Sequence, residues 1–501
     1  MTEIAPPRSG GEPAAVWGTL QGRERHVLED VDGSVREPLW LDGLATQRAM
    51  LRDEIPRIIA GHRGGHRTRR GGAILGAAAR QGAGLVLVDR PWAGGELDGS
   101  RAAARRARLL FESLGPTFIK LGQIVSGGPG LFPDELVEEF ASCRDAVPPV
   151  PWEQARQVLA EDLPGGADVF ARIDREPFAA ASIAQVHHAT LPDGRDVVVK
   201  IQRPGLARRV RADLELLSMF SRAGLRFSRA LEAANPLAVV EYAAETLLEE
   251  LDFRLEAENQ LDVGEAVRRS EVHDGVAVPR PHPVLVTRRV LTMERLHGFP
   301  FSESQAALDA GIDTVAMLRA GMSCFLEGAM VHGVFHGDLH GGNVLVCHDG
   351  RYGILDYGIV GRLSPAERRA FASMMAGIVT GDIEAQIVAM QDMGALPADV
   401  DPAAIAAEVP HLPFFELRMP TAAEIAEMMK GMVHTLLRLQ FRLPKLLVLL
   451  AKNLIFLDDT IARYAPGFDL AGEAGAAFQK MAVTTREMDP SADSTPLPRV
   501  R

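Results

Sequence analysis

The chain has 501 residues, 47% hydrophobic and 24% charged, which is too long for one ordinary core and too apolar for a disordered or collagen-like polymer. Its 54 Lys and Arg against 66 Asp and Glu leave a formal charge of −12, which argues against a global electrostatic grip on nucleic acid. Three cysteines, Cys143, Cys324 and Cys347, are odd in number and lack metal-ligand spacing, so neither a disulfide framework nor a zinc site is expected, and a reducing cytoplasm is the default compartment.

The first residues, MTEIAPPRSGGEPAA, are polar and rich in Pro and Gly, with no apolar signal core, and read as disordered. Residues 44–61 carry apolar side chains at helical spacing. The run HRGGHRTRR then brings four arginines ahead of an apolar stretch, Ala73–Val88. That order suits an interfacial anchor; the plainer reading, a solvated basic loop before a buried helix, is preferred. RAAARRARLLF at 101–111 reads as an amphipathic helix with a solvated arginine face. Gly115-Pro116 punctuates the chain, and TFIKLGQIVS follows as a short helix that Gly127-Gly128 ends, with Lys120 and Gln123 on one face and Phe118 and Leu121 placed to bury.

Between Asp168 and Gln202 the period changes to that of strands, and Pro192-Asp193-Gly194 reads as the turn of a hairpin. From Pro236 to about Val263 the pattern is helical and acidic. After VLTMERL at 290–296 the chain reads as helical to residue 480, apart from strand-like runs at 344–346 and 352–355. Neither Ala73–Val88 nor Leu446–Leu457, which contains Lys452 and Asn453, meets the requirement for a membrane span. From about Met488 the tail is polar and reads as disordered.

The segment His336-Gly337-Asp338-Leu339-His340-Gly341-Gly342-Asn343 matches the kinase catalytic-loop pattern except for a glycine in place of arginine, and Asp356-Tyr357-Gly358 follows. Phosphoryl transfer needs a carboxylate to accept or orient the nucleophile's proton, and an amide plus a second carboxylate to hold magnesium on the phosphates. Asp338, Asn343 and Asp356 supply that set at the required spacing. Upstream, Val197-Val198-Val199-Lys200 corresponds to the strand whose lysine grips nucleotide phosphates and pairs with a helix glutamate. The acidic helix offers five candidates for that partner, Glu249, Glu250, Asp252, Glu256 and Glu258, and pattern alone does not choose among them.

The register of a glycine-rich nucleotide loop falls on Ala179-Ala180-Ala181-Ser182-Ile183-Ala184-Gln185-Val186, where alanine replaces all three glycines and only the valine survives. Alanine lacks glycine's access to positive φ, so this loop is expected to follow a different and stiffer path over the phosphates. After Gly358 only five residues precede Ser364-Pro365-Ala366-Glu367, a capping box that opens a helix. No room is left for an activation loop, which argues against an orthodox protein kinase.

Together these motifs resemble the UbiB family of protein-kinase-like proteins, also called AarF-domain or ADCK-type atypical kinases. LGPTFIKLGQ with FPDELVEEFASCRDAVPPVP resembles the family's K-x-G-Q region, PFAAASIAQVHHA its Ala-rich loop, and EELDFRLEAEN its E-x-D region. The likeness runs from about residue 104 to about residue 470. It implies an α+β, bilobal kinase-like fold. The expected parts are an N-terminal extension over 1–100, partly disordered, a helical K-x-G-Q extension over 101–165, a small β-containing N-lobe over 166–297, a mostly helical C-lobe over 298–480 and a disordered tail over 481–501. It further implies that Lys120 and Gln123 lie on an extension folded over the active site and that Glu250 and Asp252 are the E-x-D acids facing it. Glu256 would partner Lys200. Ala179, Ala180, Ala181, Ser182, Val186, Lys200 and Met293 would line the ATP site, Asp338 would be catalytic, and Asn343 with Asp356 would hold Mg2+.

What the resemblance implies for activity is ATP binding and hydrolysis, or phosphorylation of a small acceptor, in support of isoprenoid-quinone or other lipid metabolism. The alternative is a nucleotide-sensing pseudokinase that regulates a membrane or lipid-biosynthetic partner. Expected partners are ATP and an isoprenoid or other lipid molecule, without nucleic acid. The expected location is the cytoplasm, with peripheral contact at a membrane. The chain departs from the family pattern at Gly341, where proline is usual, at Tyr357, where phenylalanine is commoner, and in lacking the two apolar C-terminal spans of some bacterial members.

Overall fold

The computed structural model describes residues 28–29, 35–36, 38–60, 67–86, 99–126, 134–141, 148–225, 236–270, 272–380, 382–396 and 401–408, together with Leu449, Asn453, Phe456 and Tyr464. The expected disordered N-terminus and tail, the Gly127-Gly128 breaker, Cys143 and most of the 446–457 run lie outside these residues. Leu28–Glu29 (β1) and Val35–Arg36 (β2) pair as a short antiparallel ribbon. Helix α1 (Leu44–Ala60) buries Leu44, Leu51, Ile55 and Ile58, spaced by seven, four and three residues along one face.

The four-arginine run is not a solvated loop throughout. From Arg67 it forms the first turn of α2 (Arg67–Gly84), and Arg70 there donates from Nε and Nη2 to the two oxygens of the fully buried Asp213, at 2.6 and 3.0 Å. A bidentate guanidinium–carboxylate pair of this kind satisfies a charge that would be costly to bury alone. α2 itself is half-buried, with Ile74 and Ala77 inward and Leu75 59% exposed. The arginine face of α3 (Gly99–Leu114) is likewise not simply solvated. Helix α5 (Asp134–Ala141) lies opposite, and Arg108 reaches Glu139 at 3.0 Å and Arg101 reaches Glu138 at 3.3 Å. Between them, α4 (Pro116–Ser126) buries Phe118 and Leu121 as its spacing foretold.

The strand-bearing lobe is built on one antiparallel sheet in the order β3-β5-β6-β9-β8, with β4 also paired to β5. Its strands are β3 (Arg172–Ile173), β4 (Ala179–Ala180), β5 (Ala184–Thr190), β6 (Asp196–Gln202), β8 (Pro281–Val286) and β9 (Val290–Glu294), β7 being Val276–Ala277 in the other lobe. The β-branched run of β6 takes the centre, where Val197 to Gln202 are all buried. The expected hairpin turn forms, with Gly194 at φ +89° and its N–H on the Leu191 carbonyl. One face of the sheet packs on α6 (Trp152–Asp162) through Val197, Val199 and Ile201. The other carries Val198 and Lys200 toward helices α7 (Leu206–Leu225), α8 (Pro236–Glu249) and α9 (Phe253–Arg269).

The acidic stretch is two helices, not one. Asp252 stands at the N-cap of α9 in extended conformation and accepts from the Arg254 N–H at 3.2 Å, so the chain turns a corner at Glu250–Asp252. In the second lobe β10 (Gly298–Pro300) joins β12 (Val344–Cys347), β13 (Tyr352–Ile354) and the earlier β7 in a four-stranded sheet. This lobe contains a further ribbon the sequence pattern did not show, β11 (Val334–His336), flanked by Gly333 and Gly337, with β14 (Val360–Arg362), which has Gly361 at its centre. Helices α10 (Ser304–Asp309), α11 (Thr314–Glu327), α12 (Pro365–Thr380), α13 (Ile383–Asp392) and α14 (Pro402–Glu408) complete the described part. Among the described residues one helical stretch, Thr314–His332, is long and apolar enough to cross a membrane, and it is 61% buried within the lobe's own core.

Candidate active site

The central observation is the position of Lys200. Its ammonium lies 2.7 and 2.9 Å from the two Glu256 oxygens and 3.1 Å from Asp356 Oδ2, which joins the sheet of one lobe, helix α9 and the Asp356-Tyr357-Gly358 turn of the other. Of the five acids left open, Glu256 is the one that meets Lys200; it sits in the first turn of α9 and is buried. Burial alone would lower the lysine, but the Asp356 and Glu256 carboxylates outweigh it and hold Lys200 well above the ordinary lysine range. Burial pushes Glu256 up to about 7, against the pull of Lys200 and with the negative Asp356 adding to the rise. Asp356 goes the other way. Burial would raise it, yet Lys200, Lys120 and the Gly358 N–H, 2.8 Å from Oδ1, hold it well below the usual carboxylate range.

The catalytic-loop candidates are set by backbone-directed hydrogen bonds. His336 donates from Nε2 to the Asp356 carbonyl, and its Nδ1 accepts from the Asp338 N–H at 3.2 Å. Asn343 donates from Nδ2 to the Asp338 carbonyl at 3.0 Å, and its own carbonyl accepts from the Leu355 N–H at 2.9 Å. One imidazole and one amide thus tie Asp338, Asn343 and Asp356 into a single constellation. At Gly337, where the pattern has arginine, a Cβ would stand 2.8 Å from Ile359 Cγ2, so a side chain there would require its neighbours to shift. The turn after Gly358 is as short as its sequence: β14 pairs back on β11, and the capping box closes with the Ser364 N–H on Glu367 at 2.8 Å and the Glu367 N–H on Ser364 at 3.2 Å.

Helix α4 covers this ground. Lys120 Nζ is 2.9 Å from Glu250 Oε1, and Glu250 in turn flanks Gly358, whose Cβ, if present, would be 3.7 Å from Glu250 Cγ. Although burial opposes it, Lys120 is held above its ordinary range by Glu250 and then by Asp338 and Asp356, so it shares the Asp356 carboxylate with Lys200. Burial raises Glu250. Gln123 is half-buried one turn along the same helix. Asp252 does not join this group: its carboxylate is engaged by Arg254 at 2.7 Å.

The Ala-rich segment is a tight hairpin. Ala179 and Ala180 form β4 against Val186 and Gln185 of β5, and the Ala181 N–H donates to the Ala184 carbonyl at 2.8 Å, so Ser182 and Ile183 make a compact, buried tip. Val186 pairs with Lys200, and Val198 with Met293, so these residues share the sheet face that carries the lysine. Met293 is the last residue but one of β9, shortly before β10 of the other lobe.

Asp356 and the Asn343 amide oxygen are hard oxygen donors of the kind magnesium takes together with phosphate oxygens. The commitment of Asn343 Nδ2 to Asp338 leaves its oxygen as the acceptor, and the Asp356 side chain keeps 42% of its surface exposed. The residues therefore fit the ion. Among the described residues no group of three or more His, Cys, Asp or Glu is placed to hold a metal ion by itself.

Two residues near the loop escaped sequence reasoning. Asn453, 2% exposed, donates to the His336 carbonyl at 2.6 Å and accepts from the Leu339 N–H at 3.0 Å, although the pattern marked it only as a polar break in an apolar run. Tyr242 of α8 is raised by burial and by the nearby Asp338 carboxylate.

Residues 142–390 match the model of the ABC1 atypical kinase-like domain. An uncharacterized protein of Mycobacterium tuberculosis is 35% identical over 371 residues, covering 72% of this chain and 75% of that protein. A protein of Azotobacter vinelandii named "Probable protein kinase UbiB" is 32% identical over 374 residues, covering 73% and 69%. An uncharacterized aarF domain-containing protein kinase of Arabidopsis thaliana is 37% identical over 304 residues, covering 60% and 56%.

Proposed function

The chain belongs to the ABC1 atypical kinase-like family, the group of the UbiB and aarF-domain proteins, and on that premise we propose that it binds ATP with magnesium and transfers or hydrolyses the terminal phosphoryl group in support of isoprenoid-quinone or other lipid metabolism. The observation that carries this reading is the bridging of Glu256 and Asp356 by Lys200 beside a loop bearing Asp338 and Asn343. A lysine so held is preorganised to meet phosphate oxygens, and preorganised charge is the largest resource of phosphoryl-transfer sites. Asp338 would accept or orient the proton of the attacking hydroxyl or water. Asn343 and Asp356 would hold magnesium, which neutralises charge on the phosphates. The Ala-rich hairpin and Met293 would close over the nucleotide. The five residues between Gly358 and Ser364 leave no surface on which to dock a protein substrate, so a small acceptor is favoured.

The Lys120–Glu250 pair favours a second reading, because it lays α4 against the site and gives the covering helix a way to report its occupancy. On that reading the protein senses nucleotide and turns over little.

Thermal unfolding with and without Mg-ATP tests the first step. Saturation at about a hundred times the dissociation constant should stabilise wild type by about 2.7 kcal/mol, a shift of a few degrees for a chain this long. The shift should require magnesium and vanish in Asp356→Asn; its absence in wild type would overturn the nucleotide site. Turnover lost in Asp338→Asn while the shift persists supports catalysis, whereas a shift without turnover in wild type selects the sensing reading.

A further inference from the structure

Arg203 follows β6 and is 7% exposed. Its guanidinium donates to the Ala181 carbonyl from Nε at 3.1 Å and from Nη2 at 3.0 Å, and to the Pro148 carbonyl from Nη1 at 2.9 Å. Its backbone N–H donates to the Ile183 carbonyl at 3.0 Å. One residue therefore holds two carbonyls of the Ala-rich tip and a third on the segment that leads from α5 into α6. A second staple lies beside it. The buried Gln185 accepts from the Val150 N–H at 2.9 Å and donates to His187, whose Nδ1–H reaches the Asp174 carbonyl at 2.7 Å. Residues 148–150 thus form a strap across the hairpin, fastened by side chains 35 and 55 positions away.

A backbone turn can cradle phosphates only if it offers N–H groups and turns its carbonyl oxygens elsewhere. Glycine-rich loops achieve this by backbone freedom, which Ala179, Ala180 and Ala181 lack. Here a cation draws the Ala181 oxygen onto itself, and charge-assisted bonds of this sort are about twice as strong as neutral ones.

We propose that Arg203 is a positioning residue that fixes the Ala-rich tip in its phosphate-accepting shape before nucleotide arrives, and ties that shape to the strap at residues 148–150. This rests on the nucleotide reading given above. It goes beyond that reading in assigning the stiffness of the turn to a side chain outside it. Grip on the nucleotide is then set from the extension side of the lobe, through the strap, as well as from Lys200.

The test compares full-length wild type with Arg203→Met and Arg203→Lys. Without nucleotide, amide hydrogen exchange at Ser182–Gln185 should quicken about tenfold in Arg203→Met, equivalent to about 1.4 kcal/mol of lost local protection, with Arg203→Lys intermediate and the exchange of α9 and β9 unchanged. With Mg-ATP, the dissociation constant and KM should rise about tenfold in Arg203→Met while kcat stays within about twofold, and Arg203→Lys should recover part of the loss. Unchanged exchange at the tip in a folded variant overturns the proposal, as does a loosened tip with unchanged nucleotide affinity. If Arg203→Met fails to fold, the lysine variant, which keeps the charge but loses the planar fork, carries the same comparison. Wild type that fails to bind Mg-ATP overturns the nucleotide reading alone, and the exchange result still decides whether Arg203 sets the tip.

Discussion

His336 can do its work only when neutral. Nε2 must carry the proton it donates to the Asp356 carbonyl, and Nδ1 must keep the lone pair that receives the Asp338 N–H. Burial lowers its pKa, against the pull of the Asp356 carbonyl and of the Asp338 and Asp356 carboxylates, with His340 adding to the lowering. A histidine depressed below its unfolded value of about 6.5 contributes stability that is present above that pH and lost as pH falls, because the unfolded chain takes up the proton first. Wild type should therefore lose up to about 1.4 kcal/mol per pH unit through this residue on acidification below about pH 6.5. His187 is buried and lowered in the same sense, so total slope is not diagnostic. The measurement is the difference in slope between wild type and His336→Phe by chemical denaturation at pH 5 to 8; equal slopes would mean that the imidazole is not held in this tautomer. The sequence pattern named His336 only as the first letter of a catalytic motif. Its tautomer could not be read there, since it depends on carbonyl and amide groups that every residue possesses.

At the scale of elements, the corner between α8 and α9 places Glu250 under α4, and no periodicity announced that corner. The run from Pro236 to Val263 is apolar and acidic at helical spacing throughout; what breaks it is a cap at Asp252, legible as a residue type but not as a stop without its partner Arg254. Lys120 and Gln123 were placed correctly on one face, because a three-residue spacing fixes a helix face whatever lies opposite. The ion pair of Lys120 with Glu250 carries a prediction. Lys120→Ala strips the cation from a carboxylate whose side chain is only 4% exposed, and a buried acid left alone either costs several kcal/mol or takes up a proton. Burial already raises Glu250, so protonation should absorb much of the cost. A raised carboxyl contributes stability below its unfolded pKa and loses it as pH rises. Lys120→Ala should therefore be close to wild type near pH 5 and less stable by about 1–3 kcal/mol near pH 8, and adding Glu250→Gln should remove the pH dependence. A Lys120→Ala deficit that is the same at both pH values would show that the two side chains are not coupled in solution.

The whole molecule is a device for bringing distant segments of chain to one point. Lys200, Asp338 and Asp356 stood out as candidates because each sits in a short motif whose spacing reflects local chemistry, whereas Glu256 was one of five acids that pattern alone did not separate. The contacts that hold those motifs in register were not legible, because they span more than a hundred residues and use ordinary side chains. Arg70 reaching Asp213 and Tyr464 donating to the Phe301 carbonyl at 2.7 Å are of this kind. So is Asn453, read from sequence merely as a reason why 446–457 is not a membrane span. Both atoms of its amide are spent on the catalytic loop, 114 and 117 residues away, on either side of Asp338. Asn453→Ala leaves a buried carbonyl and a buried N–H without those partners, at about 1–3 kcal/mol each. Asn453→Asp keeps the acceptor for Leu339 but sets a carboxylate oxygen against the His336 carbonyl, so it should be no better. A misplacement of Asp338 by a fraction of an ångström to 1 Å should lower kcat by about tenfold to a hundredfold. The Mg-ATP dissociation constant should stay within about twofold, because Lys200 and Glu256 belong to the other lobe. Steady-state ATP turnover and nucleotide titration on the same preparations separate the two effects, and an Asn453→Ala protein with full kcat would show that the loop holds its shape without this clamp.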